Sequence, residues 1–151
     1  MQDRLNFRFW DTKECVMLDW DCICQTAFNC TREEGNEIQR YGLMYFVFTT
    51  PQRFIPLQCT GLRDKNGKLI FEGDILRVTG SRDTSGYGVV EYLQAGCQFS
   101  VNGCLDNPSP YHPRRKGEFY HPLQEWLCTE VIGNIYENPE LLEENNANIQ
   151  R

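Results

Sequence analysis

The dipeptide Asn66-Gly67, set between lysines in "CTGLRDKNGKLIFEGDIL" (59–76), constrains this chain more than any other feature. Asn-Gly between apolar runs marks a β-hairpin, because a type I′ turn needs positive φ at both central residues. Leu62 lies before the turn, and Leu69, Ile70 and Phe71 follow it. A second reversal, centred on Gly73 in "EGD", then feeds "ILRV" (75–78). The charges here also invite a ligand-binding reading, and both obvious versions fail. An EF-hand loop needs Asp first, glycine sixth and Glu twelfth. Counting from Asp64, glycine falls fourth and Glu72 ninth. A phosphate loop needs Gly-Lys-Ser/Thr opening a helix, and none occurs in this stretch. The stretch reads as scaffolding that turns the chain twice.

From Gly73 onward the pattern is a meander. "DILRVTG", "GYGVVEYL", "GCQFSV" and "TEVIGNIY" are β-rich runs separated by glycine-containing turns. With 69–71 they supply the strands of a small SH3-like or OB-like barrel. Gly-Asp-Ile before a branched apolar strand, then Gly-Val-Val, favours the SH3-like form by analogy of pattern, which carries no function. Upstream, Leu5, Phe7 and Phe9 alternate with Asn6, Arg8 and Trp10, a strand with one apolar face. "DTKE" is turn chemistry and "CVMLDW" the return strand, so the chain opens on a hairpin with Arg8 turned to solvent. Thr31 caps a short helix, a strand covers 43–48, "TTPQ" turns, and "FIPLQC" is another short strand. The expected fold is mainly β. It is a small SH3-like antiparallel barrel with an N-terminal β-hairpin extension, dividing at 1–58 and 59–151. Asn138-Pro139-Glu140 starts a short C-terminal helix with a cap, a proline and an acid in the first turn.

One segment stands outside the meander. Residues from about 102 to 126 hold Pro108, Pro110, Pro113 and Pro122, the run Arg114-Arg115-Lys116, and Tyr111, Phe119 and Tyr120. A connection of that length inside a compact domain is either functional or mobile.

Composition narrows the function classes. The formal net charge of −6 over 151 residues disfavours general affinity for nucleic acid or anionic membrane. "MQDRLNFRFWD" places charges and aromatics where an export signal has its apolar core. "YGLMYFVF" is far shorter than the roughly 20 residues of a membrane helix. A soluble, cytoplasmic protein is expected. Its eight cysteines include no Cys-x-x-Cys pair; Cys22-x-Cys24 with Cys30 is the nearest to a metal cluster, with His112 and His121 as further candidates. Structural zinc sites carry tighter pairs, so mostly free thiols and no metal or cofactor are expected.

Catalytic signatures are missing as well. The two histidines both lie in the insert, and no Gly-x-Ser-x-Gly or His-Glu-x-x-His motif occurs. A non-catalytic protein is expected.

Four blocks in order, "NFRFWD", "CTGLRDKNGKLIFEGDIL", "GVVEY" and "EVIGNIYENPELL", resemble the YopX-like proteins of bacteriophages and prophages. They span nearly the whole chain. Cys59 departs from the aromatic more usual there, and the Pro-rich insert is a second departure. The resemblance implies a phage-encoded, mostly β protein of the host bacterial cytoplasm, and it brings no catalytic residues. A module docking on a host or phage protein is then the expected function, with Tyr111, Arg114, Arg115 and Tyr120 as contacts and homo-oligomerisation left open. Aromatic residues and Arg are enriched at interfaces. The alternative is a nucleic-acid-binding barrel reading bases with the same insert, which the net charge disfavours.

Overall fold

The computed structural model describes residues 6–28, 45, 47, 49–79, 85–105, 119–125 and 128–142. As expected, the fold is mainly β, with antiparallel strands and one sheet curled into a half-barrel. The chain divides into two compact units, Gln2–Gln58 and Cys59–Arg151.

In the first unit β1 (Phe7–Asp11) pairs antiparallel with β2 (Val16–Asp19) and with the start of β3 (Phe54–Arg63). The period-2 pattern buries Phe9 and Asp11 and leaves Arg8 and Trp10 half-buried. Helix α1 (Trp20–Phe28) follows β2 directly, a helix the sequence reading did not foresee. Phe9, Ile23, Val47 and Phe54 form the core, with Phe7, Leu18 and Trp20 packed around them. The strand expected over 43–48 is corrected: Tyr45, Val47 and Thr49 are helical, and the Thr49 hydroxyl donates to the Tyr45 carbonyl at 2.8 Å. A short apolar run is compatible with either state, and Val47 meets the core from a helix. The helix expected at Thr31 lies outside the described residues.

The turn after β1 is organised by a buried carboxylate. Asp11 accepts from the backbone amides of Lys13 (2.9 Å) and Glu14 (3.3 Å). Arg53 meets it as a fork, Nε to Oδ1 at 2.8 Å and a terminal nitrogen to Oδ2 at 2.6 Å. The Arg53 hydrogen bond holds the Asp11 carboxyl below the usual range; burial opposes this and the two amides reinforce it. A depressed folded-state pKa stabilises above the unfolded value, near 3.9, and that stabilisation disappears as pH falls through the folded value. Asp11→Asn is therefore expected to lower the urea midpoint at neutral pH and to converge on wild type in acid. Midpoints measured across that range decide it, and a gap that stays constant with pH would remove the ion pair as the cause.

In the second unit the sheet order is β8-β7-β6-β5-β9. Its strands are β5 (Asp74–Thr79), β6 (Ser85–Leu93), β7 (Gln98–Leu105), β8 (Phe119–Pro122) and β9 (Cys128–Asn134). Before them, β4 (Leu69–Phe71) pairs with the end of β3, which bulges at Gly61 (φ 77°). Leu76, Val78, Val90 and Val101 are fully buried and pack with Ile70 and Leu123. Each such side chain contributes about 1.5–3 kcal/mol.

The Asn66-Gly67 hairpin is present, but its turn is not type I′. Gly67 has φ 82°, whereas Cys15 and Cys97 are the only non-glycines with positive φ among the described residues. The Gly67 amide donates to the Asp64 carbonyl and the Asp64 amide to the Lys68 carbonyl, both at 2.9 Å. That is a three-residue loop, a tight turn closed by a left-handed glycine. The Asp64 side chain selects it by accepting from Asn66 and Lys68 amides at 2.8 and 2.9 Å.

The insert is shorter than expected. β7 continues to Leu105, and β8 returns with Phe119 opposite Gly103 and Tyr120 opposite Asn102. Only 106–118 and 126–127 of the insert region lie outside the described residues. The tail starts its helix as expected: residues 140–142 are helical, and the Asn138 amide donates to the Asn134 carbonyl at 2.8 Å.

Candidate functional site

Buried carboxylates are where acid–base chemistry is sought first. Three aspartates are buried among the described residues: Asp11, Asp64 and Asp74. Each is committed to folding. Asp11 joins its own turn to Arg53, as described. Asp64 gives one oxygen to the Asn66 and Lys68 amides and the other to the Val131 amide, at 3.1 Å. Burial pushes its carboxyl up, but the amides of Val131, Lys68 and Asn66 outweigh burial and hold it below the usual range. Asp74, with no solvent exposure, accepts from the Phe71 amide at 2.8 Å and from the Asn134 side-chain amide at 3.2 Å. Asn134 in turn accepts from the Tyr136 amide at 3.0 Å. Carboxylates engaged in this way organise turns and leave little capacity for a substrate.

Beside the 64–67 hairpin lies a cleft of about 350 Å³. Its lining includes the apolar Leu62, Ile70 and Leu123, the cations Arg63 and Lys65, and Cys128 and Thr129. Lys65 Nζ is 2.7 Å from Glu130 Oε2, and this contact raises the lysine's pKa and lowers the glutamate's. The pairing occupies one of the cleft's two cations, and the other, Arg63, donates to the Gly67 carbonyl at 2.9 Å. Cys128 and Cys24 are half-buried and Cys15 and Cys97 exposed, none of the four in a disulfide. Among the described residues no group of three or more His, Cys, Asp or Glu is placed to hold a metal. Nor is any described helix long and apolar enough to cross a membrane.

Turn-forming aspartates, a left-handed Gly67 and the Asn134–Asn138 corner are thus what the distinctive sequence blocks encode. The family model described as YopX protein matches residues 6–143. The chain belongs to the YopX family. YopX proteins are found in phages and prophages. The crystal structure of protein EF1440 from Enterococcus faecalis is similar, with 25% identity over 91% of this chain and 96% of that one and a TM-score of 0.44. No curated protein matches the chain.

In this YopX protein all three buried aspartates, together with Asn134 and Asn138, fall inside the quoted blocks. Of the residues singled out for recognition, Tyr120 sits on β8 opposite Asn102. Tyr111, Arg114 and Arg115 lie outside the described residues. His121 is on β8 opposite Val101, and His112 lies outside. The cleft went unrecognised in the sequence because its walls are brought together from distant positions.

Proposed function

We propose that this YopX protein is a non-catalytic accessory module of the host bacterial cytoplasm that docks on a host or phage protein through the insert. The observation that carries the reading is the anchoring of the insert's two ends. β7 and β8 pair antiparallel from Ser100↔Pro122 to Gly103↔Phe119. The residues that flank 106–118, Leu105 and Phe119, thus lie on paired strands, and connections carried by a packed sheet are where recognition residues concentrate. Tyr111, Arg114 and Arg115 belong to that segment, and Tyr120 lies at its foot on β8. The commitment of the buried aspartates to turns supports the absence of catalysis. The acidic balance of −6 favours a protein partner over nucleic acid.

Arg114→Ala with Arg115→Ala is expected to shift stability by no more than about 0.5 kcal/mol, as surface changes usually do. It is expected to weaken capture of partners from infected-host lysate, read by quantitative mass spectrometry against wild type. Equal capture of the same proteins would move the search to the N-terminal hairpin. Binding to single-stranded or duplex nucleic acid that falls steeply with salt would favour the alternative instead.

A further inference from the structure

Strand β9 borders the five-stranded sheet, and the outer groups of such a strand are a template for pairing with another chain. Two of those groups, the Thr129 carbonyl and the Val131 amide, are two residues apart and so project to the same side of the strand. Both bond to the hairpin tip. The Lys65 amide donates to the Thr129 carbonyl at 2.9 Å, and the Val131 amide donates to Asp64 Oδ2 at 3.1 Å. One backbone donor and one side-chain acceptor thus take the places a neighbouring strand would fill. Between them Glu130 is held by Lys65 Nζ at 2.7 Å and by the Asn66 side-chain amide at 3.4 Å.

We infer that the hairpin tip is an edge guard, a strand mimic that occupies the outer groups of β9 and blocks its pairing with β9 of a second copy. The bare edge is its own complement. In an antiparallel pair centred on Glu130, each copy's Val131 amide meets the other's Thr129 carbonyl, as a two-fold contact requires. The same register sets Glu130 against Glu130, and like charges directly opposite repel. The edge therefore carries two guards, the Asp64–Lys65 clasp and the Glu130 charge.

Asp64→Asn separates the clasp from the turn. The asparagine oxygen retains the Asn66 and Lys68 amides, while its NH2 turns a donor towards the Val131 amide. In dilute protein, hydrogen exchange at Val131 is expected to be about tenfold faster, with the β5–β6 ladder still protected. Adding Glu130→Gln is expected to produce a dimer by sedimentation as concentration rises, with Val131 exchange slowing again in the dimer. Lys65→Pro removes the other half of the clasp at a turn position that tolerates proline. Combined with Glu130→Gln it repeats the test if Asp64→Asn fails to fold. Unchanged Val131 exchange in Asp64→Asn would overturn the clasp. An opened edge that associates no more than wild type, or a dimer that leaves Val131 exposed, would overturn the guard.

Discussion

Asp74→Ala is expected to cost about 4 kcal/mol, because a buried donor stripped of its partner forfeits about 1–3 kcal/mol and this change strips at least two. The Phe71 amide and the Asn134 side-chain amide both end on this carboxylate, which has no solvent exposure from which water could replace it. The loss is a large share of the ~5–15 kcal/mol that holds a domain together. It should appear in urea denaturation at neutral pH and as a fall of about 10 °C in Tm. Asp74→Asn keeps one acceptor and turns a donor towards one of the two amides, so an intermediate loss is expected. Asn134→Ala removes the second link, and the double variant should lose less than the sum of the singles, since both break one network. Strict additivity would show that Asp74 and Asn134 act independently. A loss below about 1 kcal/mol for Asp74→Ala would mean the turn reorganises around the gap.

That network shows where reading the sequence stops. The reversal at Gly73 is legible locally, because glycine there answers a backbone demand, φ 78°. The strands on either side are legible too, from alternation alone. What Asp74 does is not, because its partner Asn134 is 60 residues away. Asp64 is the same case: its turn is visible in "DKNGK", but its hold on Val131 spans 67 residues. Even the turn type depended on that side chain. The Asn-Gly pair suggested a two-residue loop, and the carboxylate's two amide acceptances selected the three-residue one. Helix α1 did carry a signal, since Trp20, Ile23, Cys24, Ala27 and Phe28 recur at helical spacing. The alternating hairpin before it and the polar stretch after it mask that spacing. Strand β8 was hidden for another reason. Proline in a run argues against a strand, yet Pro122 stands at the border of the sheet, where a missing N–H is tolerated. The candidate recognition residues rest on composition alone, and of the four only Tyr120 falls within a described element.

Gly103→Ala is expected to be more damaging than alanine at Gly88 or Gly67, and the comparison with Gly67→Ala explains why. Gly103 on β7 faces Gly88 on β6, and there the two strands approach more closely than side chains allow. A Cβ at Gly103 would fall on the Tyr87 carbonyl oxygen and the Gly88 Cα, both backbone atoms that no rotamer change can move aside. The β6–β7 ladder must part to admit it, and Val90 and Val101, which pair across it and are fully buried, part as well. Overpacking ordinarily costs about 1–3 kcal/mol, and a clash with backbone belongs at or above the top of that range. At Gly88 an added Cβ meets the Val101 Cγ1 at 2.5 Å and the Asn102 carbonyl oxygen at 2.8 Å, so a side chain shares the strain. At Gly67 nothing lies within 4 Å, and the cost is the left-handed φ of 82° alone. That conformation costs a non-glycine residue about 1–2 kcal/mol. The expected order of destabilisation is Gly103→Ala, then Gly88→Ala, then Gly67→Ala, measured by urea denaturation with soluble yield as the first sign. If Gly67→Ala proves the worst, turn conformation outweighs strand contact in this fold. The close approach of β6 and β7 would then be a gap that the sheet can open at little cost.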